Sequence, residues 1–426
     1  MGLGRTGLPQ PVAPVRFESR RSGEATSGRW VRVGSTPVVE IGGRRVVTDN
    51  TENIDHSTRA ADLGRYEQYQ ATKYFENLNG LRALSVIAVV WHHTAVAPGN
   101  IAFLERGYLG VQLFFAISGF LITTLLLREH RRMSRISYSK FLGRRALRIF
   151  PLYYAVLLAY VVLTLLTRRD TAEAHEFFHN VPAFASYTSD WFVNLDNGAS
   201  VTFYFAWSLA TEEQFYLFWP PLLAAVLTWR RGAVAWPLAI ASVLIAANLV
   251  ALHAVHGENF ALVVVRSLSL PMLVGVVAAL LLDRESTFRA VDRVLGHPFM
   301  GTATAGALVV FLVIGASGEI IGITMVALVV ACCLPTRLPF GFVLQWRPLA
   351  RIGTVSYGIY LLHMLAANAL RPLLGHDHGV DVFLLSLVLA SVAAEFSFRY
   401  FESPLLAMKQ RRFSTDDARA AVPAPT

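Results

Sequence analysis

The sequence predicts an all-α fold: a polytopic membrane protein with about ten transmembrane helices and both termini in the cytosol. Of the 426 residues, 54% are hydrophobic and the mean hydropathy is +0.45, which is more apolar than an ordinary soluble chain of this length. The apolar residues come in blocks of about 20, the length that crosses a bilayer. The arginines lie in clusters between these blocks, and their distribution predicts the orientation.

The apolar blocks begin at Gly80, and each predicts one span. The predicted spans are 80–97, 107–127, 149–167, 208–228, 234–254, 261–282, 300–316, 318–335, 353–371 and 380–400. Arginine-rich connections alternate with connections that carry one or no Lys/Arg, except that Arg168 and Arg169 begin the long connection 168–206. Because basic connections stay in the cytosol, this alternation places both termini there.

The segments outside the apolar blocks are polar. Residues 1–73 lack any sustained hydrophobic period and predict a disordered cytosolic tail, without the apolar core of a cleavable signal peptide. Residues 74–405 form the membrane domain, and 406–426 predict a short cytosolic tail, so we expect no soluble esterase domain of the SGNH type after the last helix.

Charge and cysteine content exclude several classes of function. The net charge of +9 resides in clusters that follow membrane topology, so we expect no nucleic-acid partner. The two cysteines, Cys332 and Cys333, are adjacent within an apolar block. That spacing suits neither a metal site nor a disulfide framework, so we predict no metal and interpret both as packing residues.

The first span reads NGLRALSVIAVVWHHTAV from Asn79 to Val96 and carries the most informative polar residues. Charged side chains inside a membrane helix are costly and usually face a cavity. Arg82 and His93 are eleven residues apart, which places them on one helix face about 16 Å apart along the axis. His92 points about 100° away from that face. His93 is interpreted as a packing residue, a member of a proton relay or a catalytic base.

The next two spans offer polar residues with two interpretations each. In GYLGVQLFFAISGFLIT, Gly107, Gly110 and Gly119 predict close helix packing, and Ser118 offers a hydroxyl at depth. In GRRALRIFPLYY, a cluster of arginines with neighbouring tyrosines either holds a cytosolic phosphate or serves as a topology signal with an aromatic belt. This cluster consists of Arg144, Arg145, Arg148, Tyr153 and Tyr154.

Two later strings complete the set of candidates. WSLATEEQFYLFWP contains Trp207 and places Glu212 and Glu213 at the outer end of the fourth span. A carboxylate there has three possible interpretations: it orients a histidine, it holds an acceptor hydroxyl, or it is a hydrated residue at the start of the helix. SYGIYLLH in the ninth span carries further candidates, for which packing or an interfacial position is the favoured role. They are Ser356, Tyr357, Tyr360 and His363.

Taken together, these strings resemble the acyltransferase-3 integral membrane acyltransferases over about residues 74–405. The family pattern of Arg, ten residues and His is matched by Arg82 and His93, and the GVxLFFxxSGFLIT, RRxLRIxPLYY, WSLxxEEQFY and SYxIYLxH strings follow in the same order. Three positions depart from the family pattern: Asn79 stands in place of Asp, Gln112 in place of an acid and Phe205 in place of His.

The resemblance implies transfer of an acyl group, often acetyl, from acyl-CoA on the cytosolic side to a hydroxyl of a carbohydrate-containing acceptor. The acceptor would be a glycan, a glycolipid or a glycosylated natural product. The implied partners are therefore acyl-CoA (acetyl-CoA expected) as co-substrate, a carbohydrate or glycoside acceptor and the lipid bilayer, with no permanently bound cofactor.

The resulting hypothesis assigns a role to each candidate. His93 is the general base and Glu212 orients either that histidine or the acceptor, while an acyl-enzyme relay remains the alternative mechanism. The residues expected to hold acyl-CoA are Arg82, Arg144, Arg145, Arg148 and Tyr153. Two other functions remain open: a transporter or flippase that uses Arg82, His93 and Glu212 as a path, and a scaffold without catalytic activity.

Overall fold

The computed structural model describes residues 29–33, 36–41, 44–46, 64–95, 102–194, 201–230, 233–257 and 259–402. The chain divides into two units, 1–68 and 69–426. In the first, strands β1 (Arg29–Val33), β2 (Thr36–Ile41) and β3 (Arg44–Val46) pair antiparallel in the order β1-β2-β3. These strands lie in the stretch predicted as a disordered tail. Much of the remainder of 1–73, and all of 406–426, lies outside the described residues.

From Arg65 onward the described residues form helices joined by turns and loops, as the all-α prediction requires. The first helices are α1 (Arg65–Ala71), α2 (Asn77–Thr94), α3 (Ala102–Glu105), α4 (Gly110–Met133), α5 (Tyr138–Thr167), α6 (Ala172–Ala185), α7 (Ser189–Phe192), α8 (Trp207–Trp229) and α9 (Ala235–His253). They continue with α10 (Phe260–Arg266), α11 (Leu270–Asp283), α12 (Glu285–Leu295), α13 (Pro298–Ile314), α14 (Gly318–Cys333), α15 (Gly341–Leu344), α16 (Arg347–Thr354), α17 (Ser356–Leu374) and α18 (Val380–Ser397). Short 3₁₀ turns occupy Gly107–Leu109 and Tyr204–Ala206, and a π-helical turn occupies Phe398–Glu402.

Each of the ten predicted spans overlaps a helix, but fewer helices have the length and hydropathy of a complete membrane span. Four qualify: Gly107–Met133, Tyr138–Thr167, Ala235–His253 and Val380–Tyr400. The count rises to six if the bent pairs α10–α11 and α12–α13 are each one span. The prediction of a helical membrane protein is therefore confirmed, whereas the number ten is not.

Helix α4 lies at the centre of the bundle because glycines let its neighbours approach closely. A Cβ atom on Gly110 would collide with the Ser85 carbonyl of α2, and one on Gly119 with the Met272 carbonyl of α11. The Ser85 hydroxyl also donates to the Gly110 carbonyl at 3.0 Å. These contacts confirm the predicted close packing. In the apolar window of α4, 72% of the residues are buried, against 22% in α9, which places α9 at the periphery.

The long connection 168–206 folds over one end of the bundle in its described parts. Helix α6 begins at Thr171, whose side chain accepts a hydrogen bond from the Ala174 amide. Phe177 and Phe184 of α6 are fully buried in the main apolar cluster. The 3₁₀ turn at Tyr204–Ala206 then leads directly into α8. This aromatic layer covers the end of α2 that carries His93.

Candidate functional site

A cavity lined by both polar and apolar side chains opens between α2, α4, α5, α8 and α17 and contains about 670 Å³ of empty space, part of it open to solvent. We call it the central cavity. Three arginines and one carboxylate face it, so its lining has an excess of positive charge. Its chemically functional lining residues are Arg82, Ser118, Arg145, Arg148, Ser208, Glu212, Tyr216, Ser356, Tyr357 and Tyr360.

The carboxylate of Glu212 is held by two hydroxyl groups. Ser118 of α4 donates to Oε1 at 2.8 Å, and Tyr216, one turn further along α8, donates to Oε2 at 3.2 Å. The two hydroxyls are themselves 3.2 Å apart. Glu212 is therefore fixed by its neighbours on α4 and α8 and lies beside the cavity space.

Two arginines of the central cavity have donors available for a ligand. Arg82 projects from α2, and Arg145 of α5 lies over the Tyr216 ring with its guanidinium carbon 5.1 Å from the ring centroid. In the described part of the chain, neither guanidinium has a hydrogen-bond or ion-pair partner. Planar guanidinium groups with unused donors match the geometry of phosphate oxygens.

A second cavity with about 560 Å³ of empty space adjoins the central one, because Arg145 and Arg148 line both. Its walls come from the last turns of α4 and the first turns of α5, including Glu129 and Arg144. Arg144 lies 3.7 Å from the Glu129 carboxylate. The two cavities together form a basic path from the α4–α5 connection towards Glu212.

At the opposite wall of the central cavity, Ser208 and Tyr360 connect it to the histidines. The Ser208 and Tyr360 hydroxyls are hydrogen-bonded to each other at 2.5 Å and lie 3.1 and 3.0 Å from the Phe205 carbonyl. One hydroxyl donates to the other, which in turn donates to the carbonyl. The backbone carbonyl of Tyr360 is in turn 2.5 Å from Nδ1 of His363. Tyr360 thus reaches the cavity wall with its hydroxyl and contacts His363 through its backbone carbonyl.

His93 and His363 form a hydrogen-bonded pair, with His93 Nδ1 2.9 Å from His363 Nε2. The contact to Tyr360 decides how the protons are arranged. A carbonyl can only accept, so His363 Nδ1 carries hydrogen. With both rings neutral, His363 Nε2 accepts from His93 Nδ1–H, and His93 Nε2 keeps its lone pair. This arrangement leaves His93 able to accept a proton.

Aromatic rings enclose the histidine pair. The Tyr204 ring packs edge-on against His93 with centroids 5.7 Å apart, and the Phe205 ring packs against His363 at 5.3 Å. His363 is fully buried and His93 is half-buried. His92 lies on another face of α2, exposed, with its ring 5.5 Å from that of Tyr108. At the end of α2, the His93 carbonyl accepts a hydrogen bond from Arg371.

The structure corrects two of the roles predicted from sequence. Glu212 was predicted to orient either His93 or the acceptor. It bonds to Ser118 and Tyr216 and not to His93, so only the role towards the acceptor stays a prediction. Tyr153 is completely buried, donates to the Phe184 carbonyl at 2.8 Å and stacks on Tyr187 with centroids 4.3 Å apart. Its hydroxyl therefore fixes α6 against α5, and Tyr153 lines neither cavity.

The remaining candidates divide between the cavities and the surrounding wall. Tyr357 lines the central cavity and donates to the Ile149 carbonyl at 2.7 Å. Trp207 packs edge-on against Phe115, which lines the same cavity, with centroids 6.0 Å apart. Arg82, Ser118, Arg145, Arg148 and Glu212 are brought together at the central cavity, and Arg144 lies at the second one.

Sequence reasoning missed four contributions to this site. The role of His363 as the partner of His93 was not predicted, since packing was favoured for it. Tyr216 was also missed, although its position four residues after Glu212 places both on one helix face. Ser208 and Arg371 carried no signal of their own, because their contacts join helices that are distant in sequence.

Comparison with known proteins agrees with this architecture. Residues 75–398 match the family model described as "Acyltransferase domain" of acyltransferase-3. The chain belongs to the acyltransferase-3 family. Members of this family are multi-pass membrane proteins, and the apolar helices of the chain agree with that location.

Two relatives illustrate the similarity. A protein of Bacillus subtilis (strain 168) named "Putative peptidoglycan O-acetyltransferase YrhL" is 28% identical over 375 residues, covering 82% of this chain and 57% of the relative. "O-acetyltransferase OatA" of Staphylococcus aureus (strain NCTC 8325 / PS 47) is 26% identical over 364 residues, covering 81% of this chain and 59% of the relative. The chain thus spans less than two thirds of the length of these relatives. No solved structure matches it.

Proposed function

We propose that this protein is a membrane O-acyltransferase that transfers an acyl group, most simply acetyl, from acyl-CoA to a hydroxyl of a carbohydrate-containing acceptor. The observation that carries the proposal is the placement of two sites along α2. Arg82 faces a basic cavity, and His93, about 16 Å further along the helix, is paired with His363 so that its Nε2 can accept a proton. Family membership supports the same activity.

The donor enters through the basic path. The phosphates of CoA bind at the second and central cavities, where Arg82, Arg145 and Arg148 supply guanidinium groups. The pantetheine arm then extends along α2 towards Ser208 and Tyr360, which places the thioester near the histidine pair. The Glu212 side chain lies beside these guanidinium groups, and its fixed position limits where a phosphate binds.

His93 acts as the general base in the transfer step. As the acceptor oxygen attacks the thioester carbonyl, Nε2 takes the hydroxyl proton, the carbon–sulfur bond breaks, and the imidazolium returns the proton to the CoA sulfur. His93 Nδ1–H donates to His363 throughout, so the ring orientation is unchanged while Nε2 gains and loses its proton. Direct transfer needs no covalent acyl-enzyme.

The acceptor is proposed to be a glycan of the cell surface. The names of both relatives specify O-acetyl transfer, and one name specifies peptidoglycan. A polysaccharide hydroxyl is therefore the acceptor class most consistent with the similarity. The same comparisons favour an enzyme over a transporter or flippase that uses Arg82, His93 and Glu212 as a path.

We further propose that ten spans cross the membrane and that both termini are cytosolic. Each predicted span overlaps a described helix, and the second cavity lies at the basic α4–α5 connection, where a cytosolic donor would enter. Single cysteines placed at Arg132 and His376, in a background without the native cysteines, test the orientation. A membrane-impermeant maleimide applied to intact cells should label position 376 and not 132, and the reverse pattern contradicts the topology.

The activity is tested with purified protein in detergent or nanodiscs. Acetyl-CoA labelled in the acetyl group is supplied with chitotetraose as the probe acceptor, and free CoA and acetylated sugar are measured. We expect both products from the unmodified protein and a loss of about 10²–10⁴-fold in rate for His93→Ala, the range of general-base catalysis. Full activity of folded His93→Ala would contradict the role of His93, and absence of both products from the unmodified protein would contradict the proposed reaction.

A further inference from the structure

The end of α2 that carries His93 is held by groups from the last turn of α17 and from the connection that follows it. The last carbonyls of a helix have no partner within the helix. Here the His93 carbonyl accepts from Arg371 Nη2 at 2.9 Å, and the Thr94 carbonyl accepts from the Gly379 amide at 2.9 Å. Two of the terminal carbonyls of α2 are therefore satisfied by a segment about 280 residues away in sequence.

Arg371 uses all three of its side-chain nitrogens in this arrangement. Besides the His93 carbonyl, its Nη1 donates to the Asn368 side chain at 2.8 Å, and its Nε donates to the Asp377 carbonyl at 2.9 Å. One guanidinium thus joins the end of α2, the last turns of α17 and the loop that follows. Its positive charge also complements the negative end of the α2 dipole.

The same helix supplies both attachments of His93. His363 and Arg371 are eight residues apart on α17, about 12 Å along its axis. His363 bonds the imidazole of His93, and Arg371 bonds the backbone carbonyl of the same residue. With both ends of the residue fixed to α17, the direction of the His93 ring is set by that helix.

We propose that Arg371 is a positioning residue for His93: it fixes the last turn of α2 so that the His93 imidazole meets His363. This role rests on the proposed function of His93 as the base. Without Arg371, the last turn of α2 loses a hydrogen bond to α17, and the hydrogen bond between His93 Nδ1 and His363 is formed for a smaller fraction of the time.

The chain contains a matched control for the loss of such an arginine. Arg266 is also half-buried and also makes three hydrogen bonds: to the Ala251 carbonyl at 2.9 Å, the Gly257 carbonyl at 2.9 Å and the Val255 carbonyl at 2.6 Å. It therefore fixes the end of α9 in the way that Arg371 fixes the end of α2. None of these carbonyls belongs to a residue of the candidate site.

The experiment compares Arg371→Gln, Arg371→Lys and Arg266→Gln in the full chain. Hydrogen–deuterium exchange reports on helix ends, and CoA release from acetyl-CoA with chitotetraose reports on catalysis. For Arg371→Gln we expect the amides in peptides covering 91–95 to exchange at least about 10-fold faster than in the unmodified protein. We also expect kcat to fall about 10–100-fold, with KM for acetyl-CoA within about 2-fold. Arg371→Lys should retain an intermediate kcat, because one ammonium group can still donate to the His93 carbonyl.

For Arg266→Gln we expect faster exchange only around 251–257 and a kcat within about 2-fold of the unmodified protein. Equal losses of kcat in both glutamine variants, or unchanged exchange at 91–95 in Arg371→Gln, would overturn the proposal. If the unmodified protein releases no CoA, the proposed function fails, while the exchange comparison still decides whether Arg371 holds this helix end.

Discussion

The two ends of α2 differ in what surrounds the functional side chain. At one end, Arg82 faces open space, with guanidinium donors that no described residue uses. At the other end, His93 is enclosed by aromatic rings and bonded at both its imidazole and its carbonyl. An adaptable charged lining suits recruitment of a polyphosphate ligand, whereas a proton-transfer group requires a fixed direction. The contrast suggests that one helix separates donor binding from chemistry.

His363 provides the strongest test of this separation, because it should affect chemistry alone. We expect His363→Leu to lower kcat about 10²–10³-fold, since His93 Nδ1–H loses its acceptor and the ring loses its fixed tautomer. KM for acetyl-CoA should stay within about 2-fold, because His363 lines neither cavity. Steady-state kinetics on purified protein measure both constants.

His363→Gln is the matched control for this substitution, because the glutamine side-chain oxygen can accept the same hydrogen bond. Its kcat should lie between those of the unmodified protein and His363→Leu. If the leucine variant retains kcat within about 2-fold, the pair does not orient the base. The His93 end would then be only a packed region of the bundle.

Arg145 of α5 tests the cavity at the Arg82 end of α2. There the expected effect is smaller and concerns donor binding, that is, KM for acetyl-CoA. Replacing its guanidinium by Gln removes one charge-assisted contact to phosphate, so KM for acetyl-CoA should rise about 10-fold with kcat little changed. The rise should shrink at high salt, because part of the attraction is screened. Kinetics at two ionic strengths give the measurement.

The control for this variant is Arg132→Gln, which removes the same charge from the last turn of α4. Arg132 is exposed and lines neither cavity. The KM of this variant should stay within about 2-fold of that of the unmodified protein. That result would show that the effect of Arg145→Gln comes from a specific phosphate contact and not from the overall positive potential of the basic surface. A fall in kcat with unchanged KM in Arg145→Gln would place the donor phosphates elsewhere.

The difference between the two ends also explains how far sequence reasoning reached. Arg82, Arg144, Arg145 and Arg148 were predicted to act together because the resemblance implies an acyl-CoA donor, and guanidinium groups suit its phosphates. The partner of His93 was not found, because the contact with His363 joins residues 270 positions apart in sequence. Helical spacing assigns His93 to one face of α2 and His363 to one face of α17, but it does not predict that these two faces pack against each other.

The fold shows the same limit. Apolar blocks predicted where the helices lie, and the glycines of α4 predicted close packing that the structure confirms at Gly110 and Gly119. Hydropathy alone did not predict that α6 and α7 fold over the bundle, because aromatic residues in a polar connection suit an interface as well as a core. The burial of Tyr153 follows from that layer, and so does the correction of its role.

Asp190 offers the smallest effect and tests whether the layer over the His93 end is packed as tightly as the contacts indicate. It lies in α7, outside the predicted spans, and accepts a hydrogen bond from Gln214 at 2.7 Å. Burial raises the pKa of its carboxyl from 3.8 to about 6, while the Gln214 hydrogen bond opposes that rise. Its charged form is therefore less favourable in the folded protein than in the unfolded chain.

This raised pKa predicts a defined pH dependence of stability. The stabilising contribution of protonated Asp190 is fully present below the unfolded pKa of 3.8 and is lost as the pH rises through about 6. Because solvent screens this partly exposed group, we expect the free energy of unfolding to fall by about 1–2 kcal/mol by pH 7. Asp190→Asn cannot ionise, so its melting temperature relative to the unmodified protein should rise by about 1–4 °C between pH 4.5 and 7.5. Thermal unfolding followed by intrinsic fluorescence across this range measures the difference. A difference that is constant with pH would mean that the layer leaves Asp190 hydrated, which would contradict the burial of its carboxyl group.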